Sequence, residues 1–294
     1  MPPDPEHSVE CAILTGRRLE RNGHECPGVD GRTVDEDGGV HSDFDRLAAL
    51  SQDDLWDEDA AAAYDTPGEG ADAPDVVGPA VDRLAAIADG GPALEFAVGT
   101  GRIAIPLIAR GVPVTGIEFS RAMVRRLRQK IPADQLPVTV GDMSSTRVEG
   151  DFSLVYLVFN TIGNLLTQDA QVECFRNAAA HLRPGGHFVI ELWVPDLRRM
   201  PPGVPAAVES VEDGYILVDT MDTLRQHLIS YHFRFGDGHD AHLGRTPHRY
   251  IWPSELDLMG RLAGFELASR WSDWQGNQFS QESTSHVSVY RLTP

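Results

Sequence analysis

The sequence predicts an α/β protein built on an open, doubly wound, largely parallel sheet, with an antiparallel β insertion late in the chain. Three observations predict it. From about residue 92 to Trp193, short and almost wholly apolar runs alternate with stretches of helical periodicity, the pattern of strands buried on both faces by their crossover helices. Right-handed crossovers between such strands give an open sheet wound in both directions. After Trp193 the rhythm becomes short runs divided by turn residues, which favours antiparallel pairing.

Before the first strand lies a segment of different character. The 294 residues carry a formal net charge of −19, yet residues 1–75 alone hold 20 Asp or Glu against 5 Arg. That stretch is also rich in Gly, Pro and Ala and poor in aromatics, so it buries too little surface to offset its ordering entropy. Residues 1–50 are therefore expected to form a disordered acidic extension, and residues 51–294 a single domain. The spacing of Cys11, His24 and Cys26 matches no common zinc pattern.

Regular structure opens in LWDEDAAAAYD, Leu55 to Asp65. A helix follows in DVVGPAVDRLAAIAD, where Val77, Val81, Leu84, Ala85 and Ala88 share one face. PALEFAV is the first buried strand, and RIAIPLIARG a helix stopped by Gly111. VPVTGIEF is the second strand, after which Ser120 caps the helix RAMVRRLRQK. VTVGD is a short third strand and FSLVYLVF a fourth. QDAQVECFRNAAAHL reads as a helix closed by the turn RPGG, and HFVIELWV as the fifth strand. In the insertion, residues 194–251, turns fall at Asp213-Gly214 and near Asp222. A helix runs from near Ser254 to Gly264, and SHVSVYRL, strictly alternating, is the last strand. Such an insertion lies over the carboxyl ends of the parallel strands, where open α/β sheets bind ligands.

The ligand is read from EFAVGTG, Glu95 to Gly101. A dinucleotide fingerprint wants G-x-G-x-x-G; counted from Gly99, the third position is Ala104, and Ala97 stands where a first glycine is often found. Glu95 would repel a pyrophosphate, and no second dehydrogenase motif follows. A carboxylate there suits a ligand with a cationic end and no phosphate. S-adenosylmethionine is such a ligand: it has an ammonium, a sulfonium and a ribose diol. Glu118, ending the second strand, is placed to accept from both ribose hydroxyls. Asp142, in GDM after the third strand, is placed to accept from the adenine amino group. Taken singly, Glu95 could pair with an arginine, Glu118 could cap the next helix, and Asp142 could be a turn residue. Their coincidence at three successive strand ends is the specific signal.

Over residues 55–292 the chain resembles the class I S-adenosylmethionine-dependent methyltransferases. The resemblance rests on LEFAVGTG for the first motif, VTGIEFS for the ribose-binding acid, GDM for the adenine loop, FSLVYLVFN and LRPGGHFVIE for the fourth and fifth strands, and WDEDAAAAYD for the opening segment with Tyr64. Departures are Ala97 and Val98 in the first motif and Glu for Asp at 95 and 118. The resemblance implies a Rossmann-like seven-stranded sheet of order 3-2-1-4-5-7-6 with strand 7 antiparallel. It implies a cofactor site of Tyr64, Glu95, Ala97, Gly99, Gly101, Glu118, Phe119, Asp142, Met143, Phe159 and Asn160. Tyr64 and Asn160 could equally serve packing. The late insertion and RYIWPSELDLMGRLAGFEL look like the small-molecule branch, which includes amino-sugar and glycine-type N-methyltransferases; N and O acceptors both stay open for this chain. Two other readings stay open: a catalytically silent protein with the same fold, and an NAD-dependent oxidoreductase.

Composition narrows partners and place. Lys130 is the sole lysine and no basic stripe exists, which disfavours nucleic acid. No apolar run is long enough to span a membrane, no secretory signal is visible at the start, and three scattered cysteines fit a reducing interior. A cytoplasmic enzyme with a small-molecule acceptor is expected, with homo-oligomerisation left open. A base is required only if a proton must leave the acceptor. FSLVYLVFNTIGNLL has no carboxylate cluster for a magnesium ion, so no metal is expected. His239 and His242 read as a solvated turn in FGDGHDAHLG, and His248 and His286 are further base candidates. His227 and His232 differ by an odd number, so a regular strand points them to opposite faces. His232, or its neighbour Tyr231, is the candidate catalytic residue.

Overall fold

The computed structural model describes residues 32–34, 40–65, 72–236 and 241–293. Two short strands, β1 (Arg32–Val34) and β2 (Val40–Ser42), pair antiparallel, and three helices follow: α1 (Asp43–Ala48), α2 (Gln52–Leu55) and α3 (Glu58–Tyr64). Within the span expected as an extension, residues 40–48 form β2 and α1. Phe44 is buried and stacks on His227 with ring centroids 3.5 Å apart. Cys11, His24, Cys26 and His239 lie outside the described residues.

Helix α4 (Pro74–Ala88) buries Val81, Leu84 and Ala88, the stripe expected from the sequence. The alternation then proceeds through β3 (Ala93–Phe96), α5 (Ala104–Ala109), β4 (Val114–Glu118), α6 (Arg121–Lys130), β5 (Val138–Val140), β6 (Phe152–Leu157), α7 (Gln168–His181) and β7 (Leu182–Trp193). Every residue of β3 and β6 is buried, as strands covered on both faces require. Ser120 Oγ accepts from the Met123 N–H at 3.1 Å, the cap read from the sequence for α6. RPGG interrupts β7 instead of preceding it. Leu182 pairs with Phe152 and His187 with Leu154, so the intervening residues loop out of register, with Gly185 at φ 78°.

The chain then builds a separate four-stranded sheet from β8 (Ala207–Glu212), β9 (Tyr215–Asp222), β10 (His227–Phe235) and β11 (Ala241–Arg249), ordered β11-β10-β9-β8. It returns through α8 (Pro253–Leu262), β12 (Phe265–Trp271) and β13 (Ser285–Leu292). The large sheet has the order β12-β13-β7-β6-β3-β4-β5. Its central strands are parallel, and β13 runs antiparallel to both β7 and β12. In strand ranks this is the expected 3-2-1-4-5-7-6. Two strands escaped the sequence reading. β12 is an edge strand with only Phe265 buried and no clean alternation. β11 begins inside the stretch read as a solvated turn, and His242 is an exposed strand residue paired with Arg234.

Two apolar layers hold the sheet. Leu84, Leu107 and Leu127 from α4, α5 and α6 pack with Tyr156, Val189 and Val287. On the other side Phe175 of α7 and Leu256 of α8 pack with Phe96, Phe188 and Tyr290. Phe175 meets the rings of Phe188 and Tyr290 edge-on, at 5.1 and 5.5 Å. Fully burying one such side chain contributes about 1.5–3 kcal/mol.

Candidate active site

The carboxyl ends of β3, β4 and β5 open into one cavity of about 690 Å³, inside the roughly 300–1,000 Å³ range of small-molecule sites. Its floor is the glycine turn after β3. Gly99 takes φ 56° and Gly101 φ 86°, conformations glycine adopts without a Cβ penalty. Ala97 also sits at φ 52°, where a side chain costs about 1–2 kcal/mol. This explains why glycine is the commoner residue there. Gly101 does not line the cavity; a Cβ there would collide with Leu127 and Ile105, so it lets α6 approach the turn.

Glu118 is buried at the end of β4 and lines the cavity. Its Oε2 accepts from the Gly99 N–H and its Oε1 from the Ser120 N–H, each at 2.8 Å. Burial raises its pKa, and these backbone donors oppose the rise. The head is thereby fixed, while each oxygen keeps acceptor capacity toward the cavity. Asp142 follows β5; its Oδ1 accepts from both the N–H and the hydroxyl of Ser144 at 2.7 Å. Phe119, Met143, Phe159 and Asn160 line the same space. Phe159 and Asn160 both adopt positive φ, at 58° and 62°, and the Asn160 Oδ1 accepts from the Trp193 N–H at 2.5 Å.

Glu95 is placed differently from the other two acids. It is buried within β3, where its Oε2 accepts from the Tyr156 hydroxyl at 2.9 Å, and it is not among the residues that line the cavity. Burial pushes its carboxyl up to about 8, with Tyr156 and Arg102 working against the rise. Arg102, which the sequence reading did not single out, holds its guanidinium 4.6 Å from the Phe159 ring centroid and 4.0 Å from Asp72.

The segment before α4 forms one side of the cavity. Tyr64 lines it, as expected, together with Trp56, which meets Tyr64 edge-on at 5.9 Å. The Trp56 carbonyl accepts from the Ser120 hydroxyl at 2.6 Å. Lys130, the sole lysine, bonds Asp65 at 2.8 Å and the Thr100 carbonyl at 3.1 Å. These contacts tie the opening helices to the glycine turn.

The roof is the inner face of the four-stranded sheet. Leu217, Asp219 and Met221 of β9 face the cavity, as do Leu228, Ser230 and His232 of β10. Thr246 and His248 of β11 complete that face. Strand alternation produces this wall, and it puts Tyr231 on the opposite face, where Arg245 lies 5.9 Å from its ring. Of the two candidate catalytic residues, only His232 reaches the cavity. Its Nδ1 is 2.7 Å from the Tyr215 hydroxyl, and burial lowers its pKa. His248 is pushed down to about 4 by burial, with His232 adding to the shift. Both imidazoles are therefore neutral at pH 7. His227 stacks on Phe44, and His286 is buried beside Ser288 and Phe279; neither lines the cavity. Among the described residues no cluster of His, Cys, Asp or Glu could hold a metal ion.

Comparison with known proteins places this geometry. Residues 93–186 match the family model described as a methyltransferase domain. The CcbJ methyltransferase of Streptomyces caelestis is 34% identical, with a TM-score of 0.72 over 82% of this chain and 98% of that one. The cypemycin N-terminal methyltransferase of a Streptomyces species is 23% identical over 82% of this chain and 98% of its own length. A 100-residue stretch, 34% of this chain and 41% of the relative, is 32% identical to the dTDP-3-amino-3,4,6-trideoxy-alpha-D-glucopyranose N,N-dimethyltransferase of Streptomyces venezuelae.

Proposed function

The chain belongs to the S-adenosylmethionine-dependent methyltransferases, and from that premise we propose that it methylates a nitrogen or oxygen of a small molecule held beneath the four-stranded sheet. The observation that carries this reading is the continuity of one cavity from Glu118 and Asp142 to the inner face of β9, β10 and β11. Cofactor and acceptor would share a single enclosed space. Two of the similar proteins carry names that specify methylation of nitrogen, one on a peptide N-terminus and one on an amino sugar.

The residues present fit the cofactor. Glu118 offers a carboxylate already oriented by two backbone amides, suited to a ribose diol. Asp142 stands where the adenine amino group would be read. When bound, the cofactor supplies a methyl group on a cationic sulfur. The rest of the chemistry is alignment and exclusion of water. Trp56, Tyr64, Phe159 and Trp193 line the cavity with aromatic surface. His232, neutral at pH 7, is the cavity group that would take a proton if the acceptor must lose one. Among the described residues no helix is long and apolar enough to cross a membrane. The reading is completed by a cytoplasmic setting in which neither nucleic acid nor a membrane is a partner.

Titration with S-adenosylmethionine, S-adenosylhomocysteine and NAD, followed by melting temperature, tests the reading. At a hundredfold excess over its Kd, S-adenosylhomocysteine stabilises the fold by about 2.7 kcal/mol, and NAD gives no shift. A shift with NAD alone overturns the assignment.

A further inference from the structure

The inner face of the four-stranded sheet is sorted by polarity. Across it, Asp219 of β9 pairs directly with Ser230 of β10, and Ser230 with Thr246 of β11. This makes one polar row. The row on one side is Met221, Leu228 and His248; the row on the other is Leu217, His232 and Gly244. All of these but Gly244 line the cavity. Asp219 is thus the one carboxylate that β9, β10 and β11 bring to this face, among aliphatic side chains, hydroxyls and neutral imidazoles.

Its surroundings leave it half used. Ser230 bonds the Asp219 side chain, yet Asp219 Oδ1 is buried with no hydrogen-bond partner among the described residues. The nearby Arg199 is committed elsewhere: its guanidinium pairs with Glu209 and donates to the Val208 carbonyl at 2.9 Å. Glu209 sits at the bulge of β8, between Val208 and Ser210, and lines the cavity with its arginine. A carboxylate with one oxygen lacking a donor costs free energy, and an N–H brought to the cavity side of the group lowers that cost.

On the reading that the cavity holds cofactor and acceptor together, we propose that Asp219 is the specificity-determining residue that selects an amine acceptor, its carboxylate accepting an N–H of the nitrogen that is methylated. The acceptor reacts as its free amine, the proton of the ammonium form having gone to solvent; the nitrogen lone pair then forms the N–C bond while the C–S bond breaks and its electrons return to sulfur. The positive charge passes from sulfur to nitrogen, and the transfer from the free amine itself releases no further proton. An anion beside the nitrogen therefore interacts more strongly in the transition state than in the ground state. A neutral alcohol gains less from Asp219, since it must also surrender a proton to become a methyl ether. Burial pushes the Asp219 carboxyl up to about 6, with Glu209 adding to the rise and Arg199 opposing it, so it remains ionised above pH 7.

The test uses the full chain saturated with cofactor, and pairs of acceptors matched in skeleton: benzylamine against benzyl alcohol, cyclohexylamine against cyclohexanol, and glucosamine against glucose. Binding is measured on the complex with S-adenosylhomocysteine. Turnover is measured as S-adenosylhomocysteine released from S-adenosylmethionine at pH 8. Amines are expected to bind and react at least about tenfold better than their alcohols. Asp219→Asn should lower kcat/KM for the amine roughly ten- to a hundredfold, leaving affinity for S-adenosylhomocysteine within about twofold. Alcohols accepted as well as amines, no amine favoured by the wild-type complex, or an unchanged Asp219→Asn variant each overturn the proposal. The wild-type comparison needs no variant, so it decides even if the substitution misfolds. Failure of the wild type to bind S-adenosylhomocysteine at all would instead defeat the underlying functional reading.

Discussion

The two ends of the cavity are built on opposite plans. At the cofactor end, side chains are held by backbone: Glu118 by the amides of Gly99 and Ser120, and Asp142 by that of Ser144. Under the four-stranded sheet, side chains are held by side chains: His232 by Tyr215, Asp219 by Ser230, and Glu209 by Arg199. A backbone amide is present whatever residue occupies the position, so the first plan tolerates substitution around a fixed ligand. The second changes with every substitution, which suits a surface that differs from acceptor to acceptor. The site teaches that one cavity can hold a constant half and an adjustable half, divided where the parallel strands end.

The join between the halves is Arg249, at the end of β11. Its guanidinium reaches Gln171 of α7 at 2.5 Å, Glu255 of α8 at 2.7 Å and Gln226 at 3.0 Å, and its side chain is only 6% exposed. Arg249→Met leaves buried Gln171 and half-buried Glu255 with fewer partners. Removing one member of a buried pair costs about 3–5 kcal/mol; the lower end applies here because Gln168 and Gln226 still donate to Glu255. This is the largest effect expected. A single transition several degrees lower, seen by calorimetry, means that the halves unfold together. Two separated transitions, with S-adenosylhomocysteine affinity retained through the first, would show the four-stranded sheet to be independent and sharpen the division.

Next in size is Glu118→Gln. The change keeps the shape and places an NH2 where an acceptor was wanted. Lost charge-assisted hydrogen bonds to the ribose should cost about 1.5–3 kcal/mol, roughly ten- to a hundredfold in cofactor affinity. The ribose is remote from the sulfur, so KM for S-adenosylmethionine rises while kcat is mostly preserved. If the ligand-free protein melts many degrees lower while cofactor affinity is intact, Glu118 is a structural residue and the backbone-held plan loses its central example.

Ala97→Gly probes the same half in the opposite direction. Relief of the left-handed conformation at φ 52° is offset in part by glycine's larger entropy loss. The net gain is about 0.5–1 kcal/mol, visible as a small rise in melting temperature. A fall instead would mean that the Ala97 methyl contributes packing beyond its strain.

The same division decided what the sequence disclosed. The cofactor half is written locally: a buried strand, an acid at its end, a glycine turn, a helix cap. Glu118, Asp142 and Tyr64 could be placed at the cavity without knowing any pairing. The position of Glu95 in the motif says nothing about depth; Tyr156, on the neighbouring strand, donates to its Oε2, a contact that needs the pairing of β3 with β6. The four-stranded half depends on which face of each strand turns inward. In YILVDTMD the set Ile216, Val218, Thr220 is as apolar as Leu217, Asp219, Met221, so alternation alone cannot say that Asp219 is inside. Parity put His227 and His232 on opposite faces of their strand without saying which face turns inward. Glu209 reaches the cavity at a bulge, a register event with no simple sequence signature.

An effect of similar size, and the one that bears most directly on the side-chain-held half, is expected from Tyr215→Phe. Tyr215 opens β9 and bonds the Nδ1 of His232 across to β10 at 2.7 Å; Thr246, at 3.4 Å, is the other polar neighbour of that imidazole. Phenylalanine keeps the ring and removes the bond, a loss of about 0.5–1.5 kcal/mol. Neither Tyr215 nor its hydroxyl faces the cofactor residues, so affinity for S-adenosylhomocysteine should not change. The imidazole, freed at Nδ1, can rotate toward Thr246, and the acceptor surface changes with it. KM for the acceptor should therefore rise a few-fold with a smaller change in kcat, and the preference between acceptors of different shape should shift. His232→Gln made on top of Tyr215→Phe should then add little to that shift, because coupled residues are not additive. Equal and additive losses in cofactor and acceptor affinity would instead show that the two halves share one network, and the contrast between backbone-held and side-chain-held ends would not stand.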